Sequence, residues 1–279
     1  MADRPDLSVL RDLAVDTARA AGDTLRRFAD RHAAGDDLGF GTKSTITDPV
    51  SEADRAAERL IAERLTAARP DDGLLGEEGQ AERRGTSGLR WVVDPLDGTV
   101  NFLYGLPAWC VSVACEDDAG SLVGVVHDPN RDETFVAVRG GGATCNGRPT
   151  EVGSAGTLER TLVATGYAYA VTTRRDWAAD VADLLGHVRD VRRGGAAALD
   201  LAWTAAGRFD AYLEFGLSPW DWAAGRLLVT ESGGTVTTPE RVLGGERRTG
   251  VLAGGATACD ALGAWLAERP PHRPAEDTP

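Results

Sequence analysis

Trp91-Val92-Val93-Asp94-Pro95-Leu96-Asp97-Gly98-Thr99-Val100-Asn101-Phe102 is the stretch from which the rest of the chain can be read. The apolar, β-branched run from Trp91 to Val93 delivers Asp94 to the end of an expected buried strand. Pro95, with no backbone N–H and a fixed φ, is expected to stop the ladder there. Asp97 follows on a turn, and Gly98-Thr99 is expected to open a short helix. Two carboxylates three residues apart on a stiff corner can converge on hard cations, which take oxygen ligands. N–H groups at a helix start suit a phosphate. Taken alone, Asp-x-x-Asp-Gly also reads as a tight turn in which Asp94 caps a helix. The companions elsewhere in the chain decide between the two.

The longer string Asp-Pro-Leu-Asp-Gly-Thr-Val-Asn-Phe resembles the metal motif of the inositol monophosphatase family of Mg²⁺-dependent, Li⁺-sensitive phosphatases. Upstream, Leu75-Gly76-Glu77-Glu78-Gly79 is similar to the family's Gly-Glu-Glu element, and downstream Pro219-Trp220-Asp221-Trp222-Ala223-Ala224-Gly225 is similar to its second motif. Lys43-Ser44-Thr45 through Asp48 to Asp54 resembles the family's lysine-to-aspartate segment. Asp128 to Glu133 and Gly141 to Pro149 match as well, so the resemblance runs over nearly the whole chain.

Carried over by position, the resemblance implies that Glu77 and Asp94 hold a first Mg²⁺ with the Leu96 carbonyl. Asp94 would bridge to a second ion held by Asp97 and Asp221. Phosphate would be taken by the N–H groups of Gly98 and Thr99. Thr99, Asp54 and Glu77 are the expected catalytic residues, Thr99 and Asp54 orienting the attacking water. Asp54 also reads as part of a capping box with Ser51, a role compatible with the other. Lys43, the single lysine of the chain, and Asp48 are expected behind the ligands or beside a third, loosely held ion. The expected substrate contacts are Leu96, Asp97, Gly98, Thr99, Arg192, Gly195, Ala196, Ala197, Glu214 and Asp221. A Glu214 carboxylate suits ring hydroxyls, since it accepts their hydrogen bonds. Ala196 stands where the family's loop carries a hydroxyl residue, a departure that weakens inositol selectivity.

The 279 residues, 42% of them hydrophobic, can bury a large core. No apolar run approaches the ~20 residues that span a bilayer, and the charged start Met1-Ala2-Asp3-Arg4-Pro5-Asp6 lacks the form of a secretory signal. A cytoplasmic protein without membrane association is therefore expected. Cys110, Cys115, Cys145 and Cys259 are scattered and read as reduced thiols. A net charge of −13, with no basic run beyond two arginines, disfavours direct binding of nucleic acid.

Hydrophobic periodicity predicts helices over 7–32 and 51–68, then strands over 91–93, 110–115, 122–127 and 134–138. A Gly-rich linker over 153–157 leads into an alternating second half. Strands are expected there over 162–164, 188–192, 209–214, 235–237 and 250–253, and helices over 174–187, 196–206, 220–232 and 256–267. The organisation expected is an α+β half over 1–152 carrying most metal ligands. An α/β half over 153–269 follows, with substrate residues and the last ligand, then a disordered tail over 270–279. The resemblance implies a layered αβαβα sandwich with the site between the halves.

The function expected is Mg²⁺-dependent hydrolysis of a small phosphate monoester, inositol-1-phosphate first, by a homodimer binding two or three ions. Fructose-1,6-bisphosphate, histidinol phosphate or a phosphoadenosine nucleotide are the alternative substrates. A regulatory protein-binding role without essential catalysis is a rival from another class, since one bacterial relative type contacts the transcription machinery.

Overall fold

A computed structural model describes residues 6–37, 41–42, 49–79 and 83–270. Lys43, Asp48 and all but the first residue of the expected tail lie outside the described residues.

Helix α1 (Leu7–Ala33) starts where the Asp6 carboxylate accepts the Ser8 N–H, and it buries Leu10, Ala14, Ala18, Ala21 and Leu25 along one stripe. After the short pair β1 (Gly41–Thr42) and β2 (Pro49–Val50), helix α2 (Glu52–Ala68) opens on a capping box between Ser51 and Asp54. Strands β3 (Gly73–Gly76) and β4 (Arg90–Asp97) pair in parallel. The short helix α3 (Thr99–Leu103) follows β4, and antiparallel strands then complete the first sheet: β5 (Cys110–Asp117), β6 (Gly120–Asp128), β7 (Glu133–Val138), β8 (Gly142–Cys145) and β9 (Arg148–Pro149).

The second sheet takes β10 (Leu162–Ala164), then β11 (Asp190–Arg192) after helix α4 (Val171–Leu184). Helix α5 (Ala197–Ala205) leads to β12 (Ala211–Phe215), and α6 (Pro219–Glu231) leads to β13 (Thr235–Thr237), β14 (Glu240–Leu243) and β15 (Glu246–Gly254). Helix α7 (Ala256–Ala267) ends the described fold. The sheet order is β11-β10-β12-β15-β13, with β14 on the outer part of β15.

Three apolar clusters show how the layers stack. α1 and α2 cover one face of the first sheet through Leu10, Ile61 and Trp91. α5 and α6 fill the space between the sheets, where Leu199, Leu201 and Leu228 meet Val92, Val126 and Tyr212. α4 and α7 cover the outer face of the second sheet through Trp177, Leu184 and Leu262. The result is the expected αβαβα sandwich. β4 is buried on both faces, as its unbroken apolar run requires.

Several expectations need correction. Pro95 does not stop β4, which continues through it to Asp97. The α/β second half is not wholly parallel, since β15 pairs antiparallel with β12, β13 and β14, and the first half gains an unexpected strand, β3, parallel to β4. Helix α4 begins three residues before the expected start and ends three before the expected end. The short strands β3, β8, β9 and β14 had no periodicity long enough to find. No helix among the described residues is long and apolar enough to cross a membrane. All four cysteines are free thiols.

Candidate active site

Residues three apart on a regular strand point to opposite faces. Asp94 and Asp97 escape this because Asp94 pairs with Ser112 and Asp97 with Cys110, three positions on β4 against two on β5. The extra residue is a β-bulge, and it sits where Pro95 has no N–H to withdraw from the ladder. Both carboxylates thereby face the middle layer. The Leu96 N–H donates to Asp94 Oδ1 at 3.0 Å, while the Leu96 side chain turns into the opposite core.

Asp97 is held from the far side of the site. Its carboxylate accepts N–H groups from Ala197 (3.1 Å), Ala198 (2.7 Å) and Leu199 (3.4 Å), the start of α5. Ala196, at the N-cap, has no side chain to serve these donors, so a residue a hundred positions earlier does so. Burial pushes Asp97 up to about 6, against the pull of the three N–H groups, and the Glu77 charge adds to the rise. Asp221 accepts the Ser218 N–H at 2.7 Å as the third residue of α6, so it belongs both to a capping box and to the pocket wall. Burial first, then Asp97 and Glu77, drive Asp221 well above the carboxylate range. Asp94 is raised in the same way by burial and by Glu77, Asp97 and Asp221, and it is hydrogen-bonded to Glu77.

The Thr99 hydroxyl lies 3.1 Å from Asp54 Oδ1 and 3.1 Å from the Leu96 carbonyl. Asp54 reaches it from α2 while its other oxygen accepts the Ser51 N–H at 2.8 Å. Asp54 therefore caps its own helix with one oxygen and meets Thr99 with the other.

Glu77, Asp94, Leu96, Asp97, Thr99 and Asp221 line one pocket of ≈ 380 Å³, with Gly195, Ala196, Ala197 and Glu214 on the side of the second sheet, and Asp54 meets it through Thr99. The Tyr212 hydroxyl donates to Glu214 Oε2 at 2.6 Å. Burial lifts Glu214 to about 7, although the Tyr212 bond and the Arg193 charge oppose the shift. A Cβ on Gly166 would stand 2.1 Å from Glu214 Oε2, so glycine is required there for the carboxylate to fit.

Arg192 does not reach the pocket. Its side chain is about half exposed and paired with Asp190, while Arg193 lines the pocket in its place. Sequence reading also missed Gly166 and Tyr167, which line the pocket, and gave no role to Asp200, which lies close behind it. The last is 2% exposed and raised well above the carboxylate range by burial, Asp97 and Glu214. Asp200 ends the 192–200 stretch that resembles the family's loop, and it is an acid inside an otherwise apolar helical run, but neither signal gave it a role.

The donors fit a hard cation. They are carboxylates and a backbone carbonyl, and the nearest sulfur, Cys110 Sγ, is 3.6 Å from Asp97 and buried behind it. Asp94, Asp97 and Asp221 are raised first by burial and then by neighbouring carboxylates, Glu77 acting on all three, and a cation relieves such a set. Among the described residues no three such side chains already enclose a point for an ion. Mg²⁺ does not need that, because it takes one or two carboxylates and keeps its waters.

The profile of the inositol monophosphatase family matches residues 6–268. The chain belongs to the inositol monophosphatase family. An inositol-1-monophosphatase of Rhizobium meliloti is 48% identical over 196 residues, covering 69% of this chain and 73% of the relative. A protein named Nus factor SuhB from Pseudomonas aeruginosa is 43% identical over 237 residues, 81% of this chain and 84% of the relative. The crystal structure of the extragenic suppressor protein suhB of Bartonella henselae superposes with a TM-score of 0.84 at 36% identity, covering 93% of this chain and 99% of that one.

Proposed function

We propose that the protein is a Mg²⁺-dependent phosphatase whose preferred substrate is inositol-1-phosphate. The observation that carries the reading is one pocket lined by Thr99, which Asp54 backs with a hydrogen bond, by four acids and by a half-buried Glu214. Glu77, Asp94, Asp97, Asp221 and the Leu96 carbonyl would hold the metal. Bound there, Mg²⁺ supplies an acidified water and positive charge opposite the phosphoryl oxygens.

The chain's own groups do the rest. Thr99 gives its hydroxyl hydrogen to Asp54, which leaves an oxygen lone pair to accept a hydrogen from water and aim it. The Gly98 and Thr99 N–H groups, at the start of α3, receive the phosphate. Glu214 accepts hydrogen bonds from hydroxyls of the leaving alcohol, and Arg193 places a cation on the same wall. Ala196 offers no hydroxyl, so the alcohol is recognised mainly from the Glu214 side.

A purified sample should turn over inositol-1-phosphate with higher kcat/KM than fructose-1,6-bisphosphate, histidinol phosphate or a phosphoadenosine nucleotide. The activity should vanish in chelator, and LiCl should inhibit where matched NaCl does not. A different winner in this panel would move the substrate assignment. Absence of turnover on every ester would favour the second reading, a transcription-related binding role, which is motivated by the relatives named Nus factor. A homodimer is part of the proposal, with Tyr104 at 79% exposure and Leu106 at 52% as candidate contacts, and light scattering tests it.

Glu214→Gln should raise KM for inositol-1-phosphate about tenfold while leaving p-nitrophenyl phosphate turnover near wild type, because a hydrogen bond to a charged acceptor is worth about 1.5–3 kcal/mol. Equal losses on both esters would make Glu214 structural. Stability gives a second check on metal-free protein. The folded carboxyl titrates at about 7, above the ordinary 4.5, so the folded state holds a proton that the unfolded chain has lost. Wild-type stability should therefore fall as pH rises from 4.5 through 7. The Gln variant escapes this loss and should gain up to about 3 kcal/mol relative to wild type by pH 8.

A further inference from the structure

We propose that Asn101 is the positioning residue of the phosphate site, a latch whose two amide hydrogens set the width of the slot in which Gly98 sits. The proposal rests on the phosphatase reading above.

The Asn101 side chain is buried, and its Nδ2 donates to the Ala108 carbonyl at 2.6 Å and to the Gly194 carbonyl at 2.9 Å. Both neighbours are acceptors, which fixes which way round the amide lies. Its main-chain carbonyl accepts the Leu106 N–H at 2.8 Å, so Asn101 also anchors the loop that carries Ala108. The two carbonyls belong to segments on opposite sides of the site, Gly194 being 93 residues further along the chain.

Gly98 lies between the same two segments. A Cβ on it would stand 2.9 Å from the Ala108 carbonyl oxygen and 3.1 Å from the Ala196 Cβ. Drawing Ala108 and Gly194 onto one amide therefore brings both walls of the slot to their places. From Gly194 the chain runs through Gly195, at φ +91, into the α5 start, whose N–H groups hold Asp97. One side chain thus governs the setting of the Gly98 N–H and, through five residues of backbone, the orientation of a proposed metal ligand.

The residue type follows from the geometry. An amide supplies two donors diverging from one nitrogen; aspartate supplies none at neutral pH, and serine supplies one on a shorter arm. A residue that only filled volume would need no donors at all.

The test is Asn101→Ala beside Asn101→Asp, each in the full-length chain. Calorimetry of inorganic phosphate in saturating Mg²⁺ should show binding weakened about 10-fold or more in both variants. kcat should drop by about 10–100-fold on inositol-1-phosphate and p-nitrophenyl phosphate alike, the range found for residues that orient ligands without being ligands. Because the latch acts at the shared phosphate end, the ratio of kcat/KM between the two esters should stay within about twofold of wild type. If Asp97 is displaced as well, half-saturating Mg²⁺ rises. A lower melting temperature with unchanged phosphate affinity and kcat at 15 °C would reduce Asn101 to a structural role and overturn the proposal. Should Asn101→Asp fail to fold, Asn101→Ala carries the test, since it removes both donors without adding charge. A wild-type protein that binds phosphate but hydrolyses no ester would sink the catalytic reading and leave the latch to be judged on phosphate affinity. A wild-type protein that binds no phosphate would overturn both.

Discussion

Asp97→Asn is expected to lower kcat by more than about 100-fold on every ester at saturating Mg²⁺, with the protein still folded. Replacing groups that merely orient metal ligands costs 10–100-fold, so loss of a ligand charge exceeds that range. The fold should survive because two effects oppose. The amide must turn its NH₂ towards one of the α5 N–H groups that the carboxylate accepts at 3.1 and 2.7 Å, which costs about 1–3 kcal/mol. It also removes a buried carboxylate whose ionisation burial already resists. The metal-free melting temperature should move by only a few degrees, and the rise that Mg²⁺ produces in wild type should shrink or disappear. Turnover within threefold of wild type would remove Asp97 from the metal site and leave it as the remote cap of α5 alone.

That double duty explains what a reader of the sequence can and cannot see. The layers were legible because α1, α2, α6 and α7 carry apolar stripes at helical spacing and β4 to β7 carry unbroken or alternating apolar runs. The acids of the site were legible because motif residues keep their order along the chain. How Asp94 and Asp97 share a face was not, since it depends on a bulge defined by the partner strand, Cys110 to Ser112. Nor does the local sequence of α5 announce that its cap comes from Asp97.

That Arg193 rather than Arg192 lines the pocket was hidden for a related reason. Neighbouring residues at a strand end point to opposite sides, and which side faces the pocket is set by how β11 lies against β10. Gly166 was invisible because the need for glycine arises only when Glu214, 48 residues later, folds against it. Asn101 stands within the motif, yet the two carbonyls its amide binds are brought to it by tertiary structure.

Gly98→Ala is expected to combine the second-largest loss of activity with a clear loss of stability. Gly98 has φ +94 and ψ 35, a left-handed conformation that an alanine resists; such strain costs of order 1–3 kcal/mol. The new Cβ would also meet the Ala108 carbonyl at 2.9 Å and the Ala196 Cβ at 3.1 Å, so one wall of the slot must retreat. A displacement approaching 1 Å at a group that positions substrate can cost about 100-fold in rate. kcat should accordingly fall by about that factor on both inositol-1-phosphate and p-nitrophenyl phosphate, and the melting temperature by several degrees. Gly105→Ala separates strain from position. Gly105 also has positive φ, +65, and lies just beyond the same short helix, but nothing stands within 4 Å of the Cβ it would acquire. That variant should lose stability and keep its kcat at temperatures where it remains folded. If Gly98→Ala behaves like Gly105→Ala, losing only melting temperature, the Gly98 N–H does not hold the phosphate and the start of α3 is a turn rather than an anion site.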